Sequence, residues 1–439
     1  MRRPLLVLVA LAAPAALAAQ LPPNSARSVA MGGALTALAR GYEAISWNPA
    51  QLAMPHQPNV SIGLLQFGGE LANNAFSIGD ITKYRDQNLT DADKQYLLSR
   101  IVHDDSTWSV NGVLGLGAVA VSVGPLAFSF TSNGYVQASA SRDAVQFALD
   151  GNGGFIGTGN FFSLAGSGGN AWATSTLAGS YAMRFHSPLG PLAAGATLKR
   201  VWGNFLGMAR DEGSQIGTDS VNAHGEAIYT EYANGNFNGI GDIFGKAPGT
   251  GWGIDLGGTL ELTPQLQVSA VLVNAISGMS WKNDRLRYDA TDYVLSLSPS
   301  GVVSDTTNTR TLTGSAIDAD PVAAAFKDTL LQRSDFSRLL RGGIAYRMAG
   351  FTLGGDLQFR LSNGLDRHSD LAAGGGIEKI FFGVLPLRAG FRTDFQNSTA
   401  ITGGTGIHLG PFALDLSAVA FLGSVHAGVA VAGGMGLTF

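Results

Sequence analysis

The last twelve residues before Phe439 alternate in size, and that alternation limits what the chain can become. Leu437, Met435, Gly433, Val431, Val429 and Ala427 fall on one parity, while Thr438, Gly436, Gly434, Ala432, Ala430 and Gly428 fall on the other. A two-residue period is that of a strand, because successive Cβ atoms point to opposite faces; a helix would repeat every 3.6 residues. One face is mostly bulky and apolar, the other small or weakly polar. Such a strand must lie between two different environments.

The beginning of the chain indicates which environments these are. Arg2 and Arg3 precede an uncharged apolar run, Leu5 to Ala19, and Ala16-Leu17-Ala18 fits a small-x-small cleavage site. Residues 1–19 are therefore expected to be a cleaved secretory signal peptide. As a membrane anchor the run falls short of the roughly 20 residues a spanning helix needs. No cysteine follows the site, so a lipid-anchored lipoprotein is excluded, and disulfides and thiolate metal sites are excluded with it. An export signal followed by a barrel-like strand that ends on an aromatic residue is how β-barrels of Gram-negative outer membranes usually end.

Composition supports a membrane location. Charged residues make up 14% of the chain, about half the usual share, and glycine is abundant at 60 residues. A soluble protein of this length needs more charge to wet its surface. A helical membrane protein would show several long apolar runs. The closest candidate, Val110 to Phe130, is uncharged but broken by Gly124-Pro125, and reads as two strands and a turn. The formal net charge of −4 offers no basic stripe for a nucleic acid.

In hydrocarbon every backbone polar group must be paired internally, which leaves helices and closed barrels. Several segments alternate as barrel strands do. Leu353, Leu357, Phe359 and Leu361 alternate with Gly354, Asp356, Gln358 and Arg360; Leu387, Ala389, Phe391 and Phe395 alternate with Arg388, Gly390, Arg392, Asp394 and Gln396. Trp252 to Leu262, Leu126 to Thr131 and Leu414 to Ser417 behave likewise. Short turns at Ser187 to Pro191, Thr263-Pro264, Met348 to Gly350 and Leu409 to Pro411 read as periplasmic hairpins. Long polar stretches, roughly 136–170, 204–250 and 282–335, read as irregular extracellular loops. The predicted fold class is all-β: a transmembrane antiparallel β-barrel of about 14 strands over residues 57–439. A barrel of this size cannot be filled by strand side chains alone, so a plug is expected.

Two helices are predicted in the loops. Thr90 caps one, with Asp91 and Asp93 in its first turn and Tyr96, Leu97 and Ile101 on one side. Asp320-Pro321 starts the other, with Val322, Phe326, Leu330 and Leu331 on one face. Their apolar faces either pack on the barrel rim or line an apolar capture groove at its mouth.

Residues 20–56 supply the expected plug, an N-terminal hatch. The stretch Ser25 to Met54 is too apolar for a solvated tail and too irregular for a strand. Ser28 to Ala39 is predicted as a short helix, Gly32 and Gly33 permit close backbone approach, and Trp47-Asn48-Pro49-Ala50 reads as a turn. This segment, with its "GGALTALA" and "AISWNPAQLA", and the final barrel strands resemble the FadL-type outer-membrane transporter superfamily. Gly374 to Asp394 is similar to the related PorV-type proteins. The resemblance implies a 14-stranded barrel, a hatch bearing Asn48, Pro49 and Ala50, and a hydrophobic molecule that passes from a loop groove to a pocket by the hatch and leaves sideways through a kinked strand.

The candidate ligand-binding residues are Trp47, Asn48, Pro49, Ala50, Phe326 and Leu330. The lumen charges Asp356, Arg360, Arg388, Arg392 and Asp394 either pair across strands or grip the carboxylate of an acidic lipid. No histidine has metal-ligand spacing and no nucleophile elbow is present, so no metal, cofactor or catalytic residue is assigned. Asp318 with Asp320, and Asp91 with Asp93, could ligate calcium only with further oxygens. Ser362-Asn363-Gly364 and His368-Ser369-Asp370 carry the residue types of a barrel lipid hydrolase in a stretch that reads as a loop.

The leading functional expectation is an outer-membrane barrel that passes small hydrophobic molecules, fatty-acid-like or aromatic, with outer-membrane lipid and a small hydrophobic ligand as partners. A PorV-like barrel that docks secreted or envelope proteins is the alternative, and an outer-membrane lipid hydrolase the third.

Overall fold

The computed structural model describes residues 25–85, 87–101, 107–151, 161–217, 220–233, 237, 239–298, 301–332, 334–365, 369–396, 398–422 and 427–439. The expected signal peptide, and His368 of the hydrolase reading, lie outside the described residues.

The alternating segments form strands. Fourteen close into a ring: β1 Val60–Asn73, β2 Thr107–Val123, β3 Leu126–Ser141, β4 Gly168–Phe185, β5 Leu192–Asp211, β6 Gly249–Glu261, β7 Leu266–Trp281, β8 Leu339–Met348, β9 Phe351–Arg360, β10 Leu371–Phe381, β11 Leu385–Thr393, β12 Thr399–Leu409, β13 Phe412–Leu422 and β14 Ala427–Thr438. Each is antiparallel to its sequence neighbours, and β14 closes on β1 with Thr438 opposite Ser61 and Ala427 opposite Asn73. Closure removes the sheet edge that lipid could not satisfy. Phe439 donates its backbone N–H to Val60 O at 2.8 Å, completing the seam.

Side-chain alternation matches the two environments. Along β9, Leu353, Leu357 and Phe359 are exposed on the outer wall, whereas Gln358 is buried toward the lumen. Along β14, Val429 and Val431 face outward, and Ala430 and Ala432 pack inward with Ala26 and Val29 of the hatch. The small face of the last strand is thus the hatch's seat. The exposed apolar wall and the closed ring identify a membrane-spanning barrel of the outer-membrane type.

Short turns close one end. Gly124, Ala349, Gly350 and Gly410 adopt positive φ there, as tight hairpins require. Phe382-Gly383 makes a further such turn that the sequence reading did not single out.

The opposite end is more ordered than expected. β5 runs on to Asp211 and pairs with a strand at Ser220–Thr230. That strand pairs with Leu286–Ser298, which makes a hairpin with Gly301–Thr313. The stretches 204–250 and 282–335 are therefore largely an extracellular sheet and not irregular loops. Their Thr-rich, weakly apolar alternation hid the strands. In stretch 136–170, β3 runs on to Ser141 and a helix follows at Arg142–Asp150.

Helices Asp91–Ser99 and Pro321–Leu331 form where predicted, capped by Thr90 and Asp320. Two assignments change. Leu98, not Tyr96, is on the buried side of the first, and Val322 on the second is exposed. The predicted helix at 28–39 shrinks to Ala26–Ala30, because Gly32 and Gly33 take positive φ and end it. Phe395, at φ 59°, turns away from β11 and ends its alternation.

Candidate functional site

The hatch is built on tight turns inside the lumen. After Ala26–Ala30, a short 3-10 turn at Gly41–Glu43 and a helical turn at Ala44–Trp47 lead to Asn48. Asn48 is in extended backbone and its Oδ1 accepts from Ala50 N at 3.0 Å, so it caps the 3-10 helix Pro49–Ala53. Pro49 stands at the first helical position, where its missing N–H costs nothing. Met31, Leu35, Leu38, Ile45, Trp47, Leu52 and Met54 are all buried in this segment. Each larger apolar side chain so buried contributes about 1.5–3 kcal/mol.

The barrel wall receives the hatch through glycine. A methyl on Gly195 would stand 2.7 Å from Ala50 N, one on Gly354 2.6 Å from the Leu38 side chain, and one on Gly376 2.6 Å from Met31 O. A Cβ at Gly257 would overlap Asn48 Oδ1, and one at Gly374 would overlap Gly32 O. Glycine gives up local strand stability to permit this approach. No local sequence signal marks these glycines, because their partners lie more than a hundred residues away.

Asn48 Nδ2 donates to Thr259 Oγ1 at 3.1 Å and, at 3.3 Å each, to Thr36 O and Gly258 O. Gln51 extends this network, donating to Ser269 Oγ at 3.1 Å and accepting from Gln267 Nε2 at 2.8 Å. The sequence reading missed Gln51; its full burial beside Asn48 is a tertiary fact. Asp356 accepts from Thr36 N at 2.9 Å.

A second attachment is ionic. Arg27 grips Glu378 with two bonds of 3.0 Å and donates to Glu43 at 3.1 Å. Arg388 donates to Glu378 and to Asp415, each at 2.6 Å. His408 Nε2 lies 3.2 Å from Asp415 Oδ1. Arg27, Glu43 and Glu378 are further residues of this candidate site that sequence reading did not find.

The predicted site residues fall into three groups. Trp47, Asn48, Pro49 and Ala50 lie together in the hatch, and the Arg341 guanidinium is 5.1 Å from the centre of the Trp47 ring. Arg388 belongs to the ionic network. Arg392 is buried with Nη1 3.9 Å from Glu70, and Asp394 accepts from Ser398 N at 2.8 Å in its own turn. Arg360 pairs with Asp370 near the extracellular end of β9. Phe326 and Leu330 lie far from the hatch in a buried extracellular cluster with Trp172, Leu206, Trp281 and Tyr288. Phe326 stacks edge-on to Tyr288.

The acidic loop pairs have other partners. Asp320 caps its helix and pairs with Arg310, Asp318 pairs with Lys327 and Asn283, and Asp93 closes a capping box with Thr90. Ser362 Oγ accepts from Arg338 N at 3.0 Å, a loop contact.

Three cavities run in series through the lumen. The outer one, about 210 Å³, is lined by Leu206, Met208, Leu330 and Leu365 and touches Trp172. The middle one, also about 210 Å³, shares Trp172 with the outer one and is lined by Thr131, Thr176, Lys199, Val201 and Leu339, with Ile45 and Ser46 of the hatch. A narrower space of about 40 Å³ continues from Ile45 and Ser46, past Tyr42, Gln66 and Val119. There β2 carries a bulge between Gly117 and Val119. Trp172 lines both of the first two cavities. Its ring stacks on Tyr135 with centroids 6.2 Å apart, and its Nε1 donates to Leu365 O at 2.8 Å.

The middle cavity has a polar edge. Lys199 bridges Asp255 and Asn274 Oδ1, at 2.6 Å each, and Asn274 adopts a positive φ of 52° to reach Ser337 O. At this bend β7 leaves register with β6, between Leu272 and Ile276.

The barrel is similar in structure to the CymD monoaromatic hydrocarbon channel, at 14% identity over 96% of this chain and 99% of that one, with a TM-score of 0.50. It is also similar to the toluene transporter TbuX of Ralstonia pickettii, at 14% identity, 96% and 99% coverage and a TM-score of 0.47. A Pseudomonas aeruginosa FadL homologue shares 10% identity, with 95% and 99% coverage and a TM-score of 0.47. The 14-stranded barrel is the fold that the sequence resemblance implied. No curated protein matches the sequence. Residues 49–359 match the profile described as "Family of unknown function (DUF5723)", and the chain belongs to that family.

Proposed function

We propose that this barrel conducts small, largely apolar molecules across the outer membrane. The observation that carries the reading is the series of three cavities, which share lining residues from the extracellular cluster to the hatch. The outer chamber captures cargo against Leu206, Leu330 and Leu365. Displacement of Trp172 admits it to the middle chamber, where the hatch residues Ile45 and Ser46 stop it. The narrow space beside Tyr42, at the β2 bulge, is the onward route.

Chamber size sets cargo size. A cavity of about 150 Å³ accepts a benzene ring. A chamber of about 210 Å³ therefore takes a one-ring compound or a short branched chain. Thr131, Thr176 and the Lys199–Asp255 pair favour cargo with one polar edge on an apolar body. The structural likeness to hydrocarbon channels supports the fold of such a conductor; the size and polarity of the cargo come from the chambers of this chain.

The test is uptake. Cells that express the chain should take up labelled one-ring compounds faster than the same cells without it, and glucose no faster. Unchanged initial rates across a panel of apolar and one-ring amphipathic compounds refute the proposal.

A further inference from the structure

The outer wall of the barrel carries an exposed cation among apolar side chains. Among the described outward-facing barrel positions, two are cationic: Lys379 near the short-turn end of β10 and Arg200 toward the other end of β5. Lys379 is satisfied within the protein, with Nζ 4.2 Å from the centre of the Phe351 ring and 5.2 Å from that of Phe381. Arg200 is exposed, and no carboxylate among the described residues pairs with it.

Its neighbours are apolar. Arg200 lies opposite Leu177 on β4 and Trp252 on β6, both exposed on the wall. Leu198, 62% exposed, precedes it on the same face, and Trp202 follows it. From Leu192, where β5 begins, Arg200 is eight residues along. At ~3.3 Å per residue and a tilt of about 40° that is ~20 Å, toward the outer edge of an apolar band about 25 Å tall.

A short helix, Ile240–Lys246, lies against the wall here. Phe244 packs edge-on against Trp202 with centroids 5.0 Å apart, and lies 5.8 Å from the Phe130 ring. Ile240 and Phe244 remain 63% and 53% exposed. Phe130 and Trp202 belong to outward-facing rows of β3 and β5. The helix therefore sits outside the barrel, at the height where lipid headgroups begin, with apolar side chains bare toward the membrane. Aromatic rings belong at that level.

A guanidinium in an apolar band must find an anion or bear a desolvation penalty. Snorkelling carries it toward the headgroups, and its forked donors match phosphate. From this geometry we infer that Arg200, with Trp202, Trp252 and the helix Ile240–Lys246, forms a binding site for a phosphorylated lipid of the outer leaflet. Acyl chains lie on Leu177, Leu198 and Trp252, and the phosphate meets Arg200. The site is on the lipid side of the wall and is independent of cargo passage through the lumen.

The experiment uses the full chain in phosphatidylcholine nanodiscs with and without diphosphoryl lipid A, and measures retained lipid by native mass spectrometry. Wild type should retain lipid A in preference to phosphatidylcholine. Arg200→Gln should lose that preference roughly tenfold, Arg200→Lys should keep part of it, and Lys379→Gln should match wild type. Heat-modifiable gel mobility reports that each variant is folded. Absence of preference in wild type, an unchanged preference in Arg200→Gln, or an equal loss in Lys379→Gln each overturns the assignment.

Discussion

Replacing Arg27 by alanine should release the hatch without unfolding the barrel. The Arg27 side chain is 13% exposed and Glu378 is 8% exposed. The substitution removes two bonds to Glu378, one to Glu43 and one to Leu38 O. Breaking a buried ion pair typically costs about 3–5 kcal/mol, mostly because a charge is left uncompensated. Here the remaining charges keep partners, Glu378 with Arg388 and Glu43 with Ser25. The low end, about 3 kcal/mol, is therefore expected, or roughly a hundredfold rise in the open population of the hatch. Hydrogen exchange reads this directly, because local opening sets the rate at which protected amides exchange. The amides of Val29, Met31 and Gly33, all bonded within the segment, should exchange about a hundredfold faster, while those of β9 stay protected. Arg27→Lys should be intermediate, because an ammonium cannot reproduce the fork. Arg360→Ala should change nothing measurable, because its partner Asp370 is 68% exposed. Hatch exchange in Arg27→Ala within about threefold of wild type would refute the view that this ion cluster holds the hatch.

Other outcomes follow from the same geometry. Trp172→Ala should join the two upper chambers and raise uptake of one-ring compounds, whereas Trp172→Phe, which keeps one ring but loses the second ring of the indole and the bond to Leu365 O, should raise it less; equal rates in all three proteins would remove Trp172 as the partition. Gly374→Ala should loosen the hatch by about 1–3 kcal/mol, because its methyl overlaps Gly32 O, while Gly342→Ala, whose methyl meets nothing within 4 Å, should be neutral in the same exchange measurement. Burial raises the pKa of Asp80, but hydrogen bonds from Ser77 and Tyr96 and the Arg100 charge outweigh it and hold the carboxyl below its ordinary value. Its capping of Ile78–Tyr84 is thus fully present above the usual carboxylate range and lost as pH falls through the lowered value; amide exchange of that helix should accelerate on acidification in wild type and be less pH-dependent in Asp80→Asn.

Much of the architecture could be read locally. Strand alternation, the Gly124-Pro125 and Gly410-Pro411 turns, and the Asp320-Pro321 helix start express preferences of a few neighbouring residues, and the fold keeps them. The extracellular sheet was hidden because Gly301–Thr313 is polar on both faces and gives no burial signal. Phe326 and Leu330 read as one apolar face, but whether that face meets a groove or a core depended on Trp172, Trp281 and Tyr288, which arrive from three separate strands.

By itself the sequence determined a membrane-spanning ring with a small-residue segment to fill it, because side-chain period and apolar content are local quantities. Only the tertiary structure decided how that segment is held and what space remains. Arg27 meets Glu378 across 351 residues, Asn48 meets Thr259 across 211, and Trp172 meets Leu365 across 193. Such pairs form only once the closed ring fixes which strand faces which part of the lumen. No local pattern encodes them, and the chambers are the volume they leave unfilled.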